Sequence, residues 1–236
     1  MFNPHPRVQV VPITPRHACY VIDDALLEPE RWVEYALSHR SELLDKPGNA
    51  FPGPELPLAD TEISRFAEFF ARHARSPLGG RRTLRSAARL SLTTRAPAEL
   101  RPLQWLCHVD RMGVPPGQLV AACVLYLFED ERLGGTSFYM PKRPVAQIAA
   151  LMEAAASTAP APFAEQYGIV PGYMTASNAW FERVRTIPPR WNRMIFYSGT
   201  VLHSGDIRHP ELLTDDPRRG RLAINGFFTC SRALEA

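Results

Sequence analysis

Lysine is nearly missing from these 236 residues: of 27 basic side chains only Lys46 and Lys142 are lysines, and against 24 acidic groups the net charge is +3. No basic block interleaved with aromatics occurs, so the chain carries no electrostatic footprint for nucleic acid, and none is expected as a partner. Cysteine is sparse too. Cys19, Cys107, Cys123 and Cys230 are scattered, with no CxxC pair, which argues against a disulfide framework. They read as small buried hydrophobes in or beside apolar runs. No apolar stretch approaches the roughly 20 residues that cross a bilayer, and the first seven residues hold no apolar core of signal-peptide length. The expectation is a cytoplasmic protein in a reducing compartment, with no membrane partner. Internal repeats are missing as well, and the one biased tract is a short Ala/Pro patch from Ser157 to Pro162.

What is present suffices for one core. A hydrophobic content of 45% over this length is expected to form a single domain spanning residues 1–236. Short β segments at Val8–Val11 and Ala18–Ile22, interrupted by prolines, suit an edge or covering strand. A helix is expected from Asp24 or Glu28 to Leu43, with Trp32, Val33, Ala36, Leu37 and Leu44 on its apolar stripe. Residues 46–57 hold four prolines and two glycines and read as loop. A second helix over Thr61–Arg75 puts Ile63, Phe66, Phe69 and Phe70 on one side, a seam for packing. Residues 1–82 thus form a helical support, and residues 83–232 a β core. Within it, an insertion near 141–191 carries an Ala-rich helix, Pro144–Ala156, expected over the mouth of the core as a lid or a packing cover.

The chemistry is concentrated in His108-Val109-Asp110 and, far downstream, His203. In an extended strand alternate side chains share a face, so residues 108 and 110 point the same way and Val109 points into packing. The third ligand has to arrive from a strand distant in sequence. Leu202-His203-Ser204-Gly205 closes the β-forming run from Arg193 to Tyr197. Two imidazoles and one carboxylate are the facial set that holds Fe(II) and leaves positions open for substrate and oxygen.

Order and context strengthen this reading. After the HxD come the strand Leu119–Phe128, then Gly134-Gly135-Thr136-Ser137-Phe138, then the strand into His203, then Gly220-Arg221 opening an apolar run to Phe228. Over roughly residues 84 to 232 this ordered set resembles the 2-oxoglutarate- and Fe(II)-dependent dioxygenases, in particular their prolyl-hydroxylase-like branch. The resemblance implies an α+β double-stranded β-helix, or jelly roll, on N-terminal helices. It makes His108, Asp110 and His203 the iron ligands and Arg221 the cation for the distal carboxylate of 2-oxoglutarate. Guanidinium suits that task because it bonds a carboxylate bidentately and keeps its proton. His203 and Arg221 are 18 positions apart, longer than usual in the family, and Arg208, Arg218 and Arg219 in between are rivals. They sit in an Asp- and Pro-rich stretch that reads as solvated loop, whereas Arg221 starts a strand. Halogenating relatives replace the acidic ligand by a small residue; here Asp110 is present. Alkylated-base repair relatives carry a second arginine on the last strand; position 227 is Phe.

Strand parity supplies the remaining candidates. Asn225 shares a face with Arg221, and Tyr126 is a candidate second donor to the cosubstrate, its alternative being a core aromatic. On the strand Thr83–Thr94, Arg89 faces the cavity with Ser91 and Thr93 and either grips a substrate acid or sits in an ordinary ion pair. Gln104 shares parity with His108 and is a candidate for the same wall, with Trp105 behind it, and Trp180 is a further substrate-binding candidate from the insertion. The expected activity is oxidation, most simply hydroxylation, of an unactivated C–H bond in an amino acid, peptide or small metabolite, with Fe(II), 2-oxoglutarate and dioxygen as cofactor and cosubstrates. The competing expectation is a non-catalytic or cupin-like metal-binding jelly roll that senses 2-oxoglutarate or another metabolite.

Overall fold

The computed structural model describes residues 1–45, 50–110 and 114–232. Two antiparallel sheets face each other. The larger has seven strands in the order β1-β2-β8-β5-β10-β4-β3, formed by Val8–Thr14, His17–Ile22, Met194–Ser198, Gln118–Tyr126, Arg221–Arg232, Gly80–Thr93 and Glu55–Pro57 respectively. The smaller has the order β7-β6-β9, from Phe181–Ile187, Thr136–Pro141 and Leu202–Gly205. This is a double-stranded β-helix.

Alternation along the central strands explains the layering. Leu119, Ala121, Cys123 and Leu125 of β5, Leu90 and Leu92 of β4, and Leu222, Ile224 and Phe228 of β10 turn outward into one cluster. Helix α2, Asp60–His73, closes that face with Phe66, Phe69 and Phe70, and the Phe70 ring stacks on Phe228 with centroids 4.2 Å apart. Burying three phenylalanines contributes several kcal/mol, at about 1.5–3 kcal/mol each. The inner face, with Ala122, Val124, Tyr126, Ile195, Tyr197 and Ala223, packs instead against Phe138 and Ile187 of the small sheet. Strands buried on both faces explain why β5 reads as a continuous apolar run. A third cluster joins α3, Val145–Ser157, and α4, Pro160–Tyr167, to Trp105, Cys107 and Tyr139.

Several expectations are corrected. Residues 55–57 of the Pro-rich segment form strand β3, because Leu56 is buried opposite Leu90 and an edge strand tolerates Pro57; residues 46–49 lie outside the described residues. The first helix, α1, runs only Glu30–Ser38 and gives way to a 3-10 turn at Arg40–Glu42, so Leu44 leaves the apolar stripe and is 54% exposed. The expected segments at Val8–Val11 and Ala18–Ile22 do form edge-side strands, β1 and β2, and with β3 they make the N-terminal 82 residues more than a helical support. The insertion is likewise not purely external, since β7 at its end pairs with β6 inside the small sheet.

Candidate metal centre and its cavity

The site forms where the chain passes from one sheet to the other. Strand β8 belongs to the large sheet and β9 to the small one, with only Gly199 to Val201 between them. His203 on β9 is flanked on one side by Phe138 of β6. On the other side it exchanges two backbone hydrogen bonds of 2.9 Å with His108. Such a bonded antiparallel pair puts both side chains on one face, and the imidazole centroids lie 4.4 Å apart. Two residues on, the Asp110 N–H donates to the Gly199 carbonyl at 2.8 Å, which folds its carboxylate back toward the pair. One donor atom from each of His108, Asp110 and His203 lies within 4.8 Å of the others, and these residues form the one such cluster among the described residues.

The electrostatics fit a cation. Asp110 Oδ1 lies 3.8 Å from His108 Nε2 and Oδ2 lies 3.4 Å from His203 Nε2. Oδ2 is buried with no hydrogen-bond partner among the described residues, a costly state that a metal would relieve. His203 Nδ1 lies 3.0 Å from the Val201 carbonyl; that contact requires Nδ1–H and leaves the Nε2 lone pair toward Asp110. Burial pushes the His203 imidazole down to about 4, so it is neutral at pH 7. His108 moves the same way through desolvation and the neighbouring His203, opposed by Asp110. Its side chain is 53% exposed, and water tempers that shift. Burial raises the Asp110 carboxyl above its usual range, against the pull of His108 and Arg89.

Arg221 opens β10 and is buried at 6% exposure. Its Nε and Nη2 donate to the carbonyls of Gly134 and Gly135, both at 3.0 Å, and Nη1 to the Thr93 hydroxyl at 3.4 Å. Those carbonyls are reachable because the chain runs tight here. A Cβ on Gly135 would stand 2.0 Å from the Ile187 carbonyl oxygen, and Gly134, at φ +84°, would meet that of Asp206 at 2.1 Å. No carboxylate lies within ion-pair distance of Arg221 among the described residues. A methyl group on Gly205, two residues past His203, would be 3.6 Å from Arg221 Nη2, which places the guanidinium beside β9 about one two-residue strand repeat, roughly 7 Å, along from His203. The rivals Arg208, Arg218 and Arg219 are exposed.

A cavity of about 1140 Å³ contains the cluster, Arg221, Asn225, Arg89 and Gln104. Arg89 is in an ion pair, 3.1 Å from Glu55, and lies over the Phe227 ring at 5.0 Å. Gln104 reaches the cavity from a 3-10 turn, Pro102–Trp105, rather than from a strand shared with His108, and donates to the carbonyls of Ala50 and Phe51. Two candidates lie elsewhere. Tyr126 is fully buried, its hydroxyl 2.8 Å from Thr136 Oγ1, and it is Thr136 that lines the cavity. Trp180 packs between Tyr167 and Arg143, donating Nε1–H to the Tyr167 carbonyl, away from the cavity wall. Thr93 was legible only as an inward position, and Glu55 had no signal, because it sits among prolines.

Two facing antiparallel sheets with a His-Asp-His cluster between them define a jelly roll with a candidate metal centre. The chain belongs to a family of unknown function (DUF6445), whose model matches residues 4–228. It is similar to the epimerase SnoN, in a structure with Fe3+, alpha ketoglutarate and nogalamycin RO, at a TM-score of 0.50 and 13% identity over 92% of this chain and 82% of that one. It is also similar to HygX from Streptomyces hygroscopicus with nickel, 2-oxoglutarate and hygromycin B bound, at a TM-score of 0.47 and 12% identity over 92% and 83% of the two chains. The likeness to SnoN shows a shared fold. No curated protein sequence matches the chain. Among the described residues no helix is long and apolar enough to cross a membrane.

Proposed function

We propose that this protein is an Fe(II)- and 2-oxoglutarate-dependent oxygenase that hydroxylates an unactivated C–H bond of an amino acid, peptide or small metabolite. The carrying observation is the pairing, in one cavity, of a His-Asp-His cluster having an orphaned carboxylate oxygen with a buried guanidinium that has only neutral partners. Each half lacks what the other's ligand would supply: a cation for Asp110, an anion for Arg221. A keto diacid held at both ends meets both needs. That SnoN, of the same fold, is seen with Fe3+ and alpha ketoglutarate agrees with this reading.

In this reading His108 Nε2, His203 Nε2 and the Asp110 carboxylate hold the iron on one side. When bound, iron and 2-oxoglutarate supply the activation of dioxygen that oxidises the C–H bond. The protein's part is positional. Val201 fixes the tautomer of His203, and the edge of the Tyr197 ring, with centroids 4.7 Å apart, backs its imidazole. Arg221 takes the distal carboxylate, held in place by Gly134, Gly135 and Thr93, while Thr136 lines the same space. Asn225 lies four residues, about 13 Å, further along β10, which puts it on the substrate side rather than at the cosubstrate carboxylate. The prolyl-hydroxylase-like branch is supported by the Gly134-Gly135 turn, whose carbonyls seat Arg221, and by Phe138 beside His203. Asp110 occupies the position a halide would need, which favours hydroxylation.

The test is succinate release from 2-oxoglutarate by the Fe(II)-loaded protein under air, with and without candidate substrates. Iron-dependent succinate supports the reading. Tight 2-oxoglutarate binding with no succinate under any condition would favour a sensor instead.

A further inference from the structure

The cavity exceeds what the proposed cosubstrate needs. About 1140 Å³ lies above the roughly 300–1,000 Å³ that enclose drug-sized ligands. On β10 Arg221, Asn225, Phe227 and Thr229 line it, and the eight strand steps from Arg221 to Thr229 span about 26 Å. A free amino acid would leave most of that space to water.

The walls state what fills it. Helix α3 carries two apolar stripes. Leu151 and Ala155 are buried in the third core cluster, whereas Val145, Ile148, Met152 and Ala156 line the cavity, with Val145 81% exposed. A helix on a protein surface needs one such stripe to hold it; Ile148 and Met152 join that packing only in part, and with Val145 and Ala156 they border the cavity. Exposed apolar surface of this kind marks a binding groove. Met140, Met152 and Met174, unbranched and adaptable, line the same space.

Charge narrows the class further. Beyond Arg221, the described cation of the lining is Arg89, which Glu55 already balances at 3.1 Å, and Glu153, exposed on α3, adds only negative charge to the wall. Burial, and then the neighbouring Arg16, lower the pKa of His17. A carboxylate or phosphate on the substrate would therefore find no unmatched cation among the described lining residues, while the Asn225 amide, with no side-chain hydrogen bond among those residues, offers a neutral donor and acceptor. We infer that the substrate is a predominantly apolar molecule of drug size or larger that carries no anionic group, lying with its body against the Val145-Ile148-Met152 stripe and one polar group at Asn225. The inference rests on the oxygenase reading for its chemistry and narrows its substrate.

Two fluorophores with the same ring body test it: neutral N-phenyl-1-naphthylamine and anionic 8-anilino-1-naphthalenesulfonate, titrated into the full chain loaded with Fe(II) and 2-oxoglutarate under argon. The neutral probe is expected to bind at least tenfold tighter, with millimolar L-leucine failing to displace it. Ile148→Trp and Met152→Trp, which fill the cavity from exposed or half-buried positions, should each weaken it tenfold or more, while Ala150→Trp on the outer face of α3 should not. Equal or tighter binding of the sulfonate, no binding of the neutral probe, or wild-type binding in both wall variants overturns the inference. Calorimetry of 2-oxoglutarate on the same samples separates the two readings. Cosubstrate binding without the neutral probe sinks the substrate class alone; probe binding without the cosubstrate sinks the oxygenase and leaves an apolar-ligand cavity.

Discussion

His203 Nε2 and Asp110 Oδ2 face each other at 3.4 Å, and Oδ2 has no hydrogen bond among the described residues. Without a cation this contact costs stability, because a buried acceptor is left unpaired. Metal and mutation should therefore act in opposite ways. Ni(II) at one hundred times its Kd should stabilise the wild type by about 2.7 kcal/mol. Asp110→Ala or His203→Ala should abolish that gain yet leave the metal-free protein no less stable than the wild type. Thermal unfolding with and without Ni(II) decides, and a variant that keeps the full metal shift removes its residue from the ligand set.

The metal-free protein should also lose stability as pH falls from about 6.5 to about 4. His203 has its folded pKa depressed to about 4 from the ordinary 6.5. Between those values the unfolded chain binds the proton that the folded chain refuses, so stability is complete above 6.5 and drains below it. The loss from this residue is at most about 3 kcal/mol. His203→Gln cannot titrate, and chemical denaturation across pH 4 to 7 should show a flatter slope for it. An unchanged slope would mean that His203 takes up a proton in the folded state.

Much of this site could be read before the fold was seen, and the limits are physical. His108, Asp110 and His203 were legible because ligand chemistry restricts residue type and strand alternation restricts spacing, and Arg221 because a strand start differs in composition from the loop holding Arg218 and Arg219. Inward parity also gave Arg89 and Thr93 on β4, which line the cavity, whereas Ser91 between them is buried and donates to Glu55 instead. Partners brought in by tertiary packing were not legible. Glu55 sits in a proline-rich segment whose strand exists only because β4 offers it an edge. Nothing local distinguishes Tyr126, turned into the core onto Thr136, from a tyrosine turned to the cavity. Trp180 was chosen for its type within an insertion whose packing direction the sequence does not encode.

Asp23 ties the end of β2 to the start of β8. Its carboxylate accepts from Arg193 Nε at 2.6 Å and Nη2 at 3.0 Å, and from Arg190 at 3.1 Å. The hydrogen bond from Arg193 is the main cause of its lowered pKa. Bidentate pairing with half-buried partners exceeds an ordinary surface bridge, so Asp23→Asn should cost about 1–2 kcal/mol at pH 7. A depressed carboxylate contributes above its unfolded pKa of about 3.8 and loses that contribution as pH falls through the folded value. The gap between wild type and variant, read from urea unfolding, should therefore close between pH 4 and pH 2. A gap that persists at pH 2 would assign the effect to packing rather than charge.

Arg221 carries the cosubstrate assignment and has the sharpest consequences. Replacing it with Ala removes the charge-assisted bonds of a buried carboxylate, a loss of about 2–5 kcal/mol or at least roughly 30-fold in 2-oxoglutarate affinity. It also strips the Gly134 and Gly135 carbonyls of their donors, so the unliganded protein should melt earlier. Arg221→Lys separates the two effects, since it keeps the charge and loses the planar fork: its affinity should fall between those of Ala and wild type. Arg218→Ala and Arg219→Ala, both exposed, should bind as wild type. Tyr126→Phe should leave the affinity nearly unchanged while costing about 1 kcal/mol of stability, because its hydroxyl serves Thr136 in the core. Calorimetric titration of 2-oxoglutarate across this set orders them. Wild-type affinity in Arg221→Ala, or a large loss in Arg218→Ala or Arg219→Ala, would mean that another guanidinium reads the cosubstrate.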